Sequence, residues 1–175
     1  MSRSSKSIAI AAAAVLTGAS AVLLADDRFA NDSQQILEGL TRGPVPDENQ
    51  LFRAKGASAP LNSVNLRIKF DHGSARLKPV SLGLLDELAT ALKNEKIRQR
   101  RVALIGHTDS TGSEAFNLTL SKQRAKAVKE HLVRHLGLAT ERFELSGLGE
   151  SAPLNNNATP IQQEVNRRVE ISLLP

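Results

Sequence analysis

Residues 101–132 read RVALIGHTDSTGSEAFNLTLSKQRAKAVKEHL. A short apolar run, Val102 to Ile105, breaks at Gly106, and a polar turn follows from His107 to Gly112. From about Asn117 the pattern becomes helical, with Arg124 inside the first two turns. Ala125, Val128, Leu132 and Leu136 share one face, Lys122, Lys126, Lys129 and Glu130 lie largely on the other, and Gly137 suits the stop. A strand, a glycine-bounded loop and an amphipathic helix thus bring a carboxylate, Asp109, and a guanidinium, Arg124, near each other.

Upstream, Val64 to Phe70 alternates apolar and polar residues, which predicts a half-buried strand. Asp71 to Ser74 is a turn, and after Pro79 a helix carries Leu82, Leu85, Ala89 and Leu92, widened by Leu84 and Leu88. A charged run from Lys93 to Arg101 ends it. Downstream, Phe143 to Gly147 alternates again, Leu148 to Pro153 closes that strand, and Asn155 to Asn157 is a polar loop. Val165 to Leu174 contains the last alternating run, Val169 to Leu173. The order β-α-β-α-β-loop-β predicts an α+β fold: a two-layer sandwich of four strands with two main helices on one sheet face. No internal repeat is found.

The predicted domain spans residues 61–175. Residues 1–25 read as a signal peptide, with Arg3 and Lys6 before the apolar run Ile8 to Leu16 and small residues after it. Cleavage suits Ala19-Ser20-Ala21 or Leu23-Leu24-Ala25. The alternative is an uncleaved membrane anchor, since Ile8 to Ala25 is free of charge. Either reading places the remainder outside the cytoplasm. Residues 26–60 read as a tether, with Ile36, Leu37 and Leu40 on one side of a short helix suited to docking an envelope protein, and Gly43 to Asp47 and Gly56 to Pro60 breaking regularity.

Composition excludes several chemistries. There is no Cys, so disulfides, thiolate catalysis and lipid attachment at cysteine are absent. Five Phe with no Tyr or Trp argue against a base-stacking platform, and so against nucleic acid as partner. The net charge of +5 falls to +3 without Arg3 and Lys6, a weak pointer to an anionic partner. His131 and His135 stand at i and i+4 without a third ligand, so no metal or cofactor is expected. His107, Asp109 and Ser110 sit on one turn, which does not supply the separated elements and oxyanion hole of a catalytic triad.

Four motifs in succession carry a resemblance: Gly106-His107-Thr108-Asp109, Asn117-Leu118-Thr119-Leu120-Ser121-Lys122-Gln123-Arg124-Ala125, Gly147-Leu148-Gly149-Glu150, and Asn166-Arg167-Arg168-Val169-Glu170. Together, over about residues 62–174, the chain resembles the OmpA-like peptidoglycan-binding domain, the type found in OmpA, Pal and MotB proteins. The resemblance implies a mixed four-stranded sheet and non-catalytic binding of the cell-wall stem peptide at diaminopimelate, in the periplasm or envelope of a Gram-negative-type bacterium. It assigns the ligand's ammonium to Asp109 and its carboxylate to Arg124. Secondary contacts fall on Asp71, His72 and Gly73, the last through backbone only, and on Thr108, Ser110, Thr111 and Asn117.

That assignment is chemically coherent. A zwitterionic amino-acid end needs one anion and one cation at fixed separation, and Arg supplies a planar fork for the carboxylate. A helix N-terminus nearby favours an anion, and Gly106 and Gly112 are expected to let the loop backbone approach the ligand. Arg167 and Arg168 are assigned structural roles, one tying down the loop and the other facing solvent. Asn117 or Ser121 is the expected helix cap. The rival functions are a domain of this fold without ligand binding and a hydrolase of cell-wall peptides.

Overall fold

The computed structural model describes residues 28–42 and 62–174. The expected signal or anchor and the linker stretch 43–60 lie outside the described residues. Within them the order is α1 (Ser33–Thr41), β1 (Ser63–Leu66), α2 (Leu82–Leu92), β2 (Val102–His107), α3 (Glu114–Arg134), β3 (Phe143–Gly149), α4 (Pro160–Asn166) and β4 (Val169–Leu173). No helix among the described residues is long and apolar enough to cross a membrane.

The four strands form one mixed sheet in the order β1-β4-β2-β3. β4 runs antiparallel to both neighbours, pairing Ile171 with Val64 and with Leu104, while β2 and β3 are parallel across Leu104 and Leu145. Alternation places Val64, Leu66, Val102, Leu104, Phe143, Val169, Ile171 and Leu173 in one core with the apolar stripes of α2 and α3. The fold is α+β, as the periodicity predicts. At one edge of the sheet β1 and the parallel strands β2 and β3 end while β4 begins. Three connections gather at that edge: residues 67–78, 108–113 and 150–168.

Several details depart from the expectation. The strand Val64 to Phe70 pairs only as far as Leu66, and Phe70 makes an isolated bridge to Leu77. The stretch before β4 is not loop throughout. Thr159 caps α4 through a capping box with Gln162, and Pro160 opens the helix. α3 begins three residues before Asn117, capped by Ser113, whose hydroxyl accepts from the Phe116 N–H at 3.3 Å. Arg124 therefore lies in its third turn rather than its first two. The expected stop is observed, with Gly137 at φ 69° and the Leu138 N–H donating to the Leu132 carbonyl.

The helix of the supposed tether belongs to the core. Asp32 caps α1, and Ile36 and Leu40 are fully buried against the domain, with Leu37 packed beside them. A Cβ on Gly39 would collide with the Val64 side chain, and the Glu87 carboxylate of α2 accepts from the Ser33 N–H at 2.9 Å. The apolar side expected to dock an envelope protein is covered by this chain's own β1 and α2.

Candidate functional site

The glycines of the motifs shape the site by setting how closely α3 lies on the sheet. A Cβ at Gly106 would run into the Ser121 backbone carbonyl, and one at Gly147 would stand 2.6 Å from the Lys122 nitrogen. At Gly149, φ is 54° and a Cβ would meet Leu118 N at 3.0 Å. Ser121 is therefore a packing residue: its hydroxyl donates to Leu118 O at 2.8 Å and accepts from the Gly149 N–H at 3.0 Å. Gly106 serves this helix–strand approach, which corrects its expected role toward the ligand. Gly112, at φ 104°, shapes the turn itself.

With α3 pressed against β2 and β3, the connections at that edge enclose a cleft of about 870 Å³. Its walls carry Asp71, His72 and Gly73 from the first connection, Thr108, Asp109, Thr111 and Asn117 from the second and the start of α3, and Arg124 from the third turn of α3. Of the residues expected at the site, only Ser110 is absent from the lining, and it is exposed. Sequence reasoning missed the apolar lining (Phe70, Val80, Phe116 and Leu120) and the charged rim of Lys69, Glu164 and Arg167.

Arg124 is 7% exposed and its Nε donates to the Ser74 carbonyl at 3.0 Å, with the guanidinium carbon 5.0 Å from the Phe70 ring centroid. The two terminal nitrogens donate to no protein group among the described residues, which leaves a fork open to the cleft. Burial lowers the guanidinium from the usual arginine range; the charge of Asp109 opposes this and that of Arg167 adds to it.

Asp109 is also 7% exposed. One carboxylate oxygen accepts from the Thr111 N–H at 2.9 Å, and the other is ion-paired with Arg167, which also pairs with Glu164. Burial pushes the carboxyl up, but the bonds from Arg167 and Thr111 outweigh it and hold Asp109 below the usual carboxylate range. Lys69 completes the rim by pairing with Glu164.

Asn117 is not a helix cap. Its amide donates to the carbonyls of Asp109 at 3.3 Å and Thr111 at 3.1 Å and to the Glu150 carboxylate at 2.5 Å, which fastens the Asp109 turn to α3 and to the end of β3. Thr108 lines the cleft, and its buried hydroxyl has no hydrogen-bond partner among the described residues. His107 lies below the cleft, 1% exposed, with Nε2 at 3.2 Å from the Glu170 carboxylate. His107 and Asp109 thus face different partners. Among the described residues no three His, Cys, Asp or Glu groups converge as a metal set.

The two adjacent arginines divide differently from the expectation. Arg168 is 2% exposed and donates to Asn65 Oδ1 at 2.8 Å and to the Ala152 carbonyl at 3.1 Å, so it ties the loop before β4 to β1. Arg167 does not simply face solvent, because it closes the cleft rim on Asp109.

The OmpA family model matches residues 69–167, more than half of the chain. The chain belongs to the OmpA family. Among OmpA-family relatives, outer membrane porin F of Pseudomonas aeruginosa is 34% identical over 142 residues, covering 80% of this chain and 40% of the relative. The peptidoglycan-binding protein ArfA of Mycobacterium tuberculosis is 42% identical over 104 residues, covering 59% of this chain and 31% of its own length. The chain thus spans at most about half of such curated relatives. Among solved OmpA-like structures, the peptidoglycan-associated lipoprotein of Burkholderia pseudomallei superimposes with a TM-score of 0.54 at 28% identity, over 69% of this chain and 98% of that one.

Proposed function

We propose that the domain binds peptidoglycan without catalysis, holding the zwitterionic end of the stem-peptide diaminopimelate between Asp109 and Arg124. The observation that carries this reading is the pair itself. Two oppositely charged side chains from different elements, each 7% exposed, line one cleft, and both terminal nitrogens of the arginine are unused among the described residues. A ligand carboxylate takes the Arg124 fork in two charge-assisted hydrogen bonds. The ligand ammonium adds to Asp109, whose two oxygens retain lone pairs beyond those used by Thr111 and Arg167. Phe70 and Leu120 suit the aliphatic stretch of the ligand.

Support comes also from the relatives, of which one is named a peptidoglycan-binding protein and another a peptidoglycan-associated lipoprotein. On this reading the chain works in the cell envelope, exported through residues 1–25 by cleavage or held by them as an anchor. Pelleting with isolated sacculi tests it, beside Asp109→Ala and Arg124→Ala. Each variant is expected to weaken retention by about 2–5 kcal/mol, since each leaves a ligand charge unpaired. A wild type that stays in the supernatant, or variants that pellet as it does, rejects the reading. The Asp109–Arg167 pair is what favours the rival, a domain whose charges serve only each other, and the same experiment decides between them.

A further inference from the structure

The end of the domain opposite the cleft gathers basic residues from three stretches. Lys93, Lys96, Arg98, Arg100 and Arg101 lie between α2 and β2, Arg134 ends α3, and Arg142 precedes β3. Arg142 draws two of these stretches together. Its Nε donates to the Arg100 carbonyl at 3.1 Å, and its terminal nitrogens donate to Leu92 and Ile97 at 3.0 and 3.1 Å. Lys129 Nζ reaches the Phe143 carbonyl at 3.3 Å, which sets the last turns of α3 beside the start of β3.

The charge at this end is poorly balanced. Glu95 pairs with Arg98 and Glu144 with Arg101, and Glu141 is the remaining acid of these stretches. Seven cations against three anions leave +4, nearly all of the chain's +5. Lys93, Lys96 and Arg134 are exposed and have no ion-pair partner among the described residues, and the Arg100 side chain donates to the Leu174 carbonyl at 2.6 Å.

We propose that this end docks on an anionic phospholipid surface. Several exposed cations with no enclosing cavity suit a charged plane better than a single small anion. Each Lys or Arg near such a surface adds to the attraction, so a set of this size holds a domain against it at moderate salt. No Phe stands exposed among these residues, so the bases of a nucleic acid would find no phenyl face to stack on. From Phe116 at the cleft to Arg134 at the far end of α3, the helix rise spans about 27 Å. The cleft and the cationic end therefore face apart, and both can be occupied at once. The proposal does not depend on what the cleft binds.

Amine-reactive labelling of the full chain on lipid vesicles tests this whether or not the N-terminal segment also inserts. On vesicles containing phosphatidylglycerol, Lys93 and Lys96 are expected to label several-fold more slowly than on phosphatidylcholine alone. Lys122, exposed in the middle of α3, is expected to label equally on both, and high salt is expected to erase the difference. Equal labelling of Lys93 and Lys96 on the two vesicles, or equal slowing at Lys122, overturns the proposal. Stronger protection by a DNA oligonucleotide at matched charge overturns it in favour of a nucleic-acid partner.

Discussion

Asp109 is ion-paired with Arg167, not with Arg124. The cleft's anion is therefore already engaged on one side by an arginine of the α4–β4 junction, while its cation is anchored through Nε alone. A ligand ammonium joins a site that Arg167 has set electrostatically.

Replacing Arg167 by Gln tests that influence through pH. Burial pushes the Asp109 carboxyl up, and Arg167 is the largest influence holding it down. In the wild type the folded value is depressed. The associated stability is full above the unfolded value near 4 and is lost as pH falls through the lower folded value. In Arg167→Gln that stabilisation disappears and the acid unfolding midpoint is expected to move to higher pH. Urea denaturation across the acid range measures it, and unchanged profiles refute the role.

The neighbouring arginine should behave differently. Arg168→Ala leaves Asn65 Oδ1 and the Ala152 carbonyl without this donor in a site where the native side chain is 2% exposed. A loss of about 3 kcal/mol or more is expected. Arg167→Ala, whose side chain is 35% exposed, is expected to cost about 1 kcal/mol or less. Denaturant midpoints of the two variants give the comparison, and equal losses would contradict the division of roles.

Gly106→Ala should destabilise through contact alone, because the added methyl meets the Ser121 carbonyl of a packed helix. Overpacking of this kind typically costs about 1–3 kcal/mol. Gly112→Ala meets nothing closer than Phe116 at 3.5 Å, and its cost comes from φ 104°, about 1–3 kcal/mol of local strain. Binding separates the two. Gly106→Ala forces α3 outward and is expected to widen the cleft and weaken sacculus retention more than its stability loss explains. Retention at the wild-type level in folded Gly106→Ala would count against this account of the glycine.

Periodicity made the principal strands and helices legible, because Val64, Leu66 and Ile68 alternate with polar residues, as do Val169, Ile171 and Leu173, and Leu85, Ala89 and Leu92 recur at helical spacing, as do Ala125, Val128 and Leu132. The α1 stripe was equally readable, but a stripe does not say which surface covers it. Ile36 and Leu40 found α2 and β1 of their own domain. The Thr159–Gln162 capping box was a signal for α4 passed over in favour of the asparagines before it. The residues expected at the site converge apart from Ser110, whereas Phe70, Val80 and Phe116 were invisible as cleft residues. Their apolar character reads as core until three connections are folded over one sheet edge.

The burial of α1 also sets a leash length. Phe29 bridges Asn65 on β1, so the chain is pinned to the domain four residues after Ala25. Were the apolar run up to Ala25 to stay in a membrane, four residues could reach at most about 14 Å. A free linker ending at residue 60 would allow a reach of order 100 Å. A domain held that way would ride on its leaflet, and the wall would have to come to it.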